Sequence, residues 1–368
     1  MASLLKNIYS AQFYSEISSV FSSILPNFNE RKFSNDIFSP DFEQKELKER
    51  MRHTATVLHQ FLPEDYVETV QLLKQAIGLF RERGNAEDGL AYMFLPDYIE
   101  SYGLENYETS IDALEFITQF VSCEFAVRPF LLKYTEPMLR QMALWAMHPN
   151  YKVRRLASEG SRPRLPWAMA VPALKKDAFL VIPILEKLKN DPSEWVRRSV
   201  ANNLNDIAKD HPQIVLDLAK QWTGIGKETD AIIKHGSRTL LKQGDPEILK
   251  YYQLESDAIE VNNLEVVNPY VKIGENLEFN FNLSNKQDRE QKIRLEYAIY
   301  YRKQNGQLSK KVFKISEKGY PEKTTIKVHR KQKFILITTR TFYTGSHDLS
   351  IIVNGEEKAK TSFELCSH

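Results

Sequence analysis

The residue types best suited to chemistry gather in RRLASEGSRPRLPWAM, residues 154–169. Pro163 and Pro166 each remove a backbone donor and clash with the preceding turn, so no continuous helix crosses this segment. The chain must leave a helix and cross an edge on a loop, which places Trp167 on that loop. Held stiffly after the two prolines and close to Arg162 and Arg164, an exposed indole offers a flat face to a sugar or a base. The competing reading makes Trp167 a buried wedge between helices.

The elements that position this loop repeat. From about Phe42 to Leu254 apolar residues recur at three and four positions, the helical period. Three blocks then align: YKVRRLASEG after His148-Pro149-Asn150, EWVRRSVANN after Asp191-Pro192-Ser193, and DAIIKHGSRT after Gly226 to Thr229. Val153, Val196 and Ile232 occupy one place, 43 and then 36 residues apart, and Arg155, Arg198 and Lys234 share another. Helix pairs at this period cannot bury their apolar faces singly, so they stack into a HEAT-like α-helical solenoid with a concave groove. The recurring cations either line that groove or pair with acidic neighbours between repeats. The repeats alone leave both open.

Past Leu254 short runs rich in Val, Ile, Phe and Tyr alternate with turn residues, as an immunoglobulin-like β-sandwich requires. We therefore expect a multidomain chain, α then β: residues 1–254 a HEAT-like domain and 255–368 a sandwich. Asn305-Gly306 and Asn354-Gly355 predict hairpin turns, and KGYPEKTT predicts a loop. Arg302, Lys303, Lys310 and Lys311 surround the first turn; Tyr343 and His347 flank Gly345 in a second tight region read as a loop.

Charge is distributed unevenly. Residues 1–130 carry 11 Lys/Arg against 20 Asp/Glu, residues 131–280 carry 21 against 19, and residues 281–368 carry 18 against 9. A phosphate-rich partner would be drawn to the basic C-terminal end, although a sandwich of this kind also serves as a solubility or protein-docking module. No apolar run approaches the roughly 18 residues of a membrane span, and residues 1–27 are too polar for a signal peptide, so a cytoplasmic location is expected. The two cysteines, Cys123 and Cys366, lack metal-ligand spacing, so neither a disulfide nor a metal site is expected.

SEGSRPRLPW, residues 158–167, resembles the signature of the AlkC branch of the HEAT-like DNA alkylation repair glycosylases, relatives of the AlkD branch. ELKERMRH, residues 46–53, is similar to that family's N-terminal helix, and the likeness extends into the β-rich tail. What the resemblance implies is a monofunctional DNA glycosylase that removes small cationic bases, 3-methylcytosine and 3-methyladenine, without swinging them into a deep pocket. An N-methylated base is already a good leaving group, so carboxylates that stabilise the sugar cation and direct a water suffice. The family pattern puts one in the helix before the signature, here Glu124; its bland alternative is an ion pair with Arg128. Glu159 would hold water or the ribose, or else cap loop amides; Asp206 would join them, or else tie adjacent repeat loops. Trp167 completes the catalytic set, while Arg155, Arg162, Arg164, Arg198 and Lys234, with Arg302, Lys303, Lys310, Lys311, Tyr343 and His347 of the tail, would contact DNA. The implied partner is double-stranded DNA containing alkylated bases, bound by a monomer with no cofactor, no metal, no membrane and no required protein partner. Two rival readings are a non-catalytic HEAT scaffold and a damage sensor that binds without cutting.

Overall fold

The computed structural model describes residues 4–85, 88–336 and 341–367. The chain divides into two compact units between Gly236 and Ser237.

The first unit is helical. The apolar period becomes plain only near Phe42, yet helices already occupy Ala11–Ile24 and Glu30–Ile37. The first of these buries Tyr14, Ile17, Val20 and Phe21, a stripe interrupted in sequence by serines. Among the described residues no helix is long and apolar enough to cross a membrane.

The repeat blocks form the helices Tyr151–Gly160, Glu194–Ile207 and Lys227–Gly236, each preceded by a partner: Thr135–Trp145, Ile182–Leu188 and Pro212–Trp222. Val153 and Leu156, then Val196, Val200 and Leu204, then Ile232 and Ile233 are buried between them. Each such side chain contributes roughly 1.5–3 kcal/mol on leaving water. The arginine pairs split their work. Arg154 donates from Nη1 to the carbonyls of His148 (2.9 Å) and Pro149 (2.8 Å), and Arg197 does the same to Asp191 and Pro192 (2.8 Å each). These bonds close the turn that starts each inner helix. Arg154 also grips the Asp191 carboxylate at 2.5 and 3.0 Å, tying one repeat to the next. Pairing between repeats therefore holds for Arg154, and also for Arg155, whose Nη1 lies 2.8 Å from Glu124.

In the second unit two short helices, Arg238–Gln243 and Pro246–Tyr251, precede eight strands. These are β1 (Ile259–Val266), β2 (Tyr270–Lys272), β3 (Asn276–Asn285), β4 (Gln291–Arg302), β5 (Leu308–Tyr320), β6 (Thr325–Lys333), β7 (Gly345–Val353) and β8 (Glu356–Cys366). One sheet has the order β1-β3-β6 and the other β2-β8-β7-β4-β5, with β2 parallel to β8. Inward residues such as Phe279, Phe281, Ile299, Ile351 and Phe363 form the core, an immunoglobulin-like sandwich. Asn354 (φ 46°) and Gly355 (φ 82°) turn β7 into β8 with the two positive φ values a two-residue hairpin needs. KGYPEKTT is shorter as a loop than its composition suggests, since β5 runs to Tyr320 and β6 resumes at Thr325.

The tail's expected loop residues require a correction. His347 lies inside β7, 1% exposed, with its ring against Tyr301, Phe334 and Phe363 and its Nδ1 2.8 Å from the Gly345 carbonyl. Strand pairing with Phe363 of β8 turns the ring inward, so it belongs to the core rather than to a surface loop. Tyr343 stands half-buried just before β7, whereas Arg302, Lys303, Lys310 and Lys311 are exposed around the β4–β5 turn.

Candidate active site

Helix Tyr151–Gly160 stops where the two prolines forbid its continuation, and Gly160 lets that end pack closely: a Cβ there would lie 2.7 Å from Val127 Cγ2. The crossing segment is then pinned from beneath. Arg128, 1% exposed, donates from Nη1 to the carbonyls of Gly160 (2.9 Å) and Arg162 (2.8 Å) and from Nε to that of Met169 (2.9 Å). One guanidinium thus holds both ends of the loop, and its Nη2 has no hydrogen-bond partner among the described residues. Burial, reinforced by the Arg162 charge, lowers its pKa to about 10, with Asp206 opposing.

Trp167 sits at the crest of this loop, 68% exposed, with φ at +63°. A left-handed conformation at a bulky residue costs on the order of 1–3 kcal/mol and persists only where its surroundings impose it. Here the Trp167 carbonyl accepts from Lys48 Nζ at 2.6 Å, and Lys48 itself lies 4.9 Å from the centre of the Phe125 ring. Lys48 is carried by helix Leu47–His59, whose start is fixed by a capping box between Glu46 and Glu49.

Beside Trp167 opens a cavity of about 410 Å³, walled by Leu90, Met93, Phe125 and Leu165 and edged by Glu124, Glu159 and Arg162. Glu124 is on the turn between helices Tyr107–Ile117 and Val127–Lys133, not on a helix, and its partner is Arg155 rather than Arg128. Its Oε2 accepts from Ser122 Oγ (2.5 Å) and Arg155 Nη1 (2.8 Å). Glu159, in the last turn of its helix, is fully engaged: Oε1 accepts from Arg162 Nη1 and Oε2 from Ser199 Oγ, both at 2.6 Å. Asp206, 2% exposed, lies outside the cavity wall, with Oδ2 bonded to Arg162 Nε (2.8 Å) and Oδ1 to Lys209 (3.0 Å). The order Glu124, Arg155, Glu159, Arg162, Asp206 is therefore one chain of alternating charge, its Arg155–Glu159 link the loosest at 4.0 Å. Burial alone would lower the pKa of Arg155 and of Arg162, but the flanking carboxylates outweigh it and raise both, so the cations stay charged. Of the three carboxylates only Glu124 borders the cavity with an oxygen, Oε1, that takes no hydrogen bond among the described residues.

The remaining expected contacts fall into two groups. Arg162 is 7% exposed and spent on Glu159 and Asp206, so it braces the site from inside and presents no surface to a duplex. Arg164 is bound in parallel by Asp210 at 3.0 and 2.6 Å. Arg198, by contrast, is exposed and lines an open groove of about 620 Å³ with Arg197, Lys227 and His235; Lys234, half-buried, is on the same helix as Lys227. Sequence reasoning missed Ser122, Ser199, Lys48 and Arg128, whose roles arise from contacts across 32 to 119 residues and leave no local pattern. Among the described residues no group of His, Cys, Asp and Glu could hold a metal ion. Cys123, next to Glu124, is fully buried, and that burial drives its thiol pKa well above the ordinary value.

Fold and site together define a class: helical-repeat proteins with a carboxylate-edged, tryptophan-crested groove and an appended immunoglobulin-like sandwich. The family model described as "Uncharacterised protein YhaZ, C-terminal Ig-like domain" matches residues 260–367, and a HEAT-repeat model matches residues 181–211. The sequence is 46% identical to the uncharacterized protein YhaZ of Bacillus subtilis (strain 168) over 363 residues, 98% of this chain and 99% of that one. The solved structure of the alkylpurine DNA glycosylase AlkC of Pseudomonas fluorescens, bound to DNA containing an abasic site analog, superposes with a TM-score of 0.93 at 35% identity, covering 99% of this chain and 100% of AlkC. The chain belongs to the AlkC branch of the HEAT-like DNA alkylation repair glycosylases, and YhaZ is its relative along nearly the whole length.

Proposed function

We propose that this protein is a DNA glycosylase that hydrolyses the N-glycosidic bond of small cationic N-methylated nucleotides, 3-methylcytosine and 3-methyladenine. The observation that carries the reading is the Glu124 Oε1 atom, unengaged at the edge of an open cavity beside the exposed Trp167 indole. An indole face attracts a cationic base. As the C1′–N bond breaks, its electron pair leaves with the base, neutralising it, and the ring oxygen shares the positive charge with C1′. The Glu124 carboxylate stabilises that cation, a water adds at C1′, and its proton passes to Glu124 and then to solvent. The products are the free methylated base and an abasic site.

Glu159 contributes charge at the cavity edge while Arg162 fixes its orientation, and Asp206 acts through Arg162 as a positioning residue. Arg198 and the exposed cations of the β4–β5 turn are suited to backbone phosphates. The AlkC homologue's occupation by abasic DNA supports a DNA partner for this chain too.

The test is incubation with methylated duplex and chromatography of what is freed. The wild type should release 3-methyladenine and 3-methylcytosine, and Glu124→Gln should slow release by about 10²–10⁴-fold while still binding DNA. Intact alkylated duplex after exposure to the wild type would refute the reading. Binding by the wild type without release would instead favour the damage sensor.

A further inference from the structure

The chain has four tryptophans, and they divide sharply. Trp145 and Trp222 are 1% and 0% exposed, and each donates Nε1 to a glutamate, Glu115 and Glu186, at 2.6 Å. Trp167 and Trp195 are 68% and 61% exposed. The first belongs to the site beside Glu124; the second has no part in it. Trp195 lies in the first turn of helix Glu194–Ile207, beside Val196, which is buried. Packing of the repeat therefore needs Val196 and makes no use of the neighbouring indole.

What Trp195 does border is a second recess, about 320 Å³, whose other aromatic wall is Tyr151, 38% exposed, from the preceding repeat. Arg155 and Lys152 supply positive charge, and Ser122 and Thr118 bring hydroxyl oxygens to the wall, the Ser122 proton being donated to Glu124. Lys152 is steadied by Asp88 at 3.2 Å. This recess and the cavity beside Trp167 share Asp88 and Ser122, and Arg155 on the one side bonds Glu124 on the other at 2.8 Å. The Ser122–Glu124–Arg155 cluster is the partition between them. One repeat further along, Arg197, Arg198 and Lys227 line the open basic groove.

Two flat aromatic faces, polar groups between them and cations at the rim form the chemistry that accepts an unstacked nucleobase together with its phosphates. A phosphate alone has no use for the indole and phenol. We propose that the recess between Tyr151 and Trp195 is a second nucleotide subsite, which stacks one base adjoining the lesion while the cavity beside Trp167 addresses the lesion itself. The proposal rests on DNA being the partner, but not on base excision. It gives a glycosylase that does not engulf its target another means of holding the duplex open at the reacting step.

The test uses the full chain and a duplex with a single abasic-site analogue, so that no chemistry is required. 2-Aminopurine is placed singly at each of the three positions on either side of the analogue, in both strands. Wild type should change the fluorescence of one flanking position, Trp195→Ala should abolish that change, and Trp195→Phe should keep most of it. Affinity should fall about 5–150-fold in Trp195→Ala, the range found when one stacked base loses its aromatic platform. Because the side chain is exposed, thermal melting of the variant should match wild type. The proposal is overturned if no 2-aminopurine position responds to Trp195, or if Trp195→Ala binds the duplex as tightly as wild type. A Trp195-dependent signal in a protein that frees no methylated base would leave the subsite standing and remove the glycosylase reading; failure to bind the duplex at all would remove both.

Discussion

The arginines around the cavity of the helical unit and the cations around the β4–β5 turn of the sandwich are used in opposite ways. Around the cavity Arg128 and Arg162 are buried and Arg155 is half-buried, and each is fixed by carbonyls or carboxylates. In the sandwich Arg302, Lys303 and Lys310 stand in solvent around the β4–β5 turn, with Lys310 loosely paired to Glu357 at 3.4 Å. A fixed, dry cation sets the position and field of its neighbours, whereas a solvated one acts at a distance and is screened by salt. The same residue types therefore serve geometry around the cavity and attraction at the turn.

That contrast breaks if the buried cations prove dispensable. The largest effect is expected from Glu124→Gln, which removes the charge that Arg155 holds in place, measured as the single-turnover rate of base release. Next, Arg162→Met leaves Glu159 and Asp206 without their shared partner and should destabilise the helical unit by about 3–5 kcal/mol in urea unfolding. Arg128→Met strips the donors from the carbonyls of Gly160, Arg162 and Met169, at roughly 1–3 kcal/mol for each that stays buried. Its diagnostic is the Trp167 emission, which should shift as the loop loosens; Arg128→Lys should restore only part, since one ammonium lacks the planar fork.

Smaller effects sharpen the other half. Replacing Arg302 and Lys303 by Ala should leave thermal stability within about 0.5 kcal/mol and should make DNA binding less sensitive to salt, the slope falling by about one for each phosphate that is no longer neutralised. The least effect concerns acid. Burial lowers the His347 pKa, so the unfolded chain binds its proton first as pH falls. Its contribution is therefore complete above the ordinary histidine value of about 6.5 and is lost as pH drops from there through the folded value. His347→Phe should flatten that part of the stability profile, measured by denaturation of the full chain between pH 7 and 5.

Much of the architecture was legible because it is periodic or local. Val153, Val196 and Ile232 recur at the repeat spacing and all face the core; Asn354-Gly355 makes the turn its residue types favour; and the two prolines do end a helix before Trp167. The failures are equally physical. Arg128 is one helical turn from Glu124 in sequence, but the chain between them is a turn, so the carboxylate meets Arg155 from 31 residues away. Ser346 and His347 have the look of a loop because Gly345 precedes them, yet strand pairing with β8 decides their fate. Trp195 left no sign in the sequence at all, since an indole beside a buried valine is equally compatible with either face of the helix.

Cys123 carries a further consequence. Thiolate, not thiol, is what electrophiles attack, and this sulfur is kept protonated and out of reach directly behind the carboxylate that borders the cavity. A methylating agent abundant enough to damage a genome would find this thiol shut away behind the wall. The protein is thereby spared, at that position, the injury it is proposed to mend.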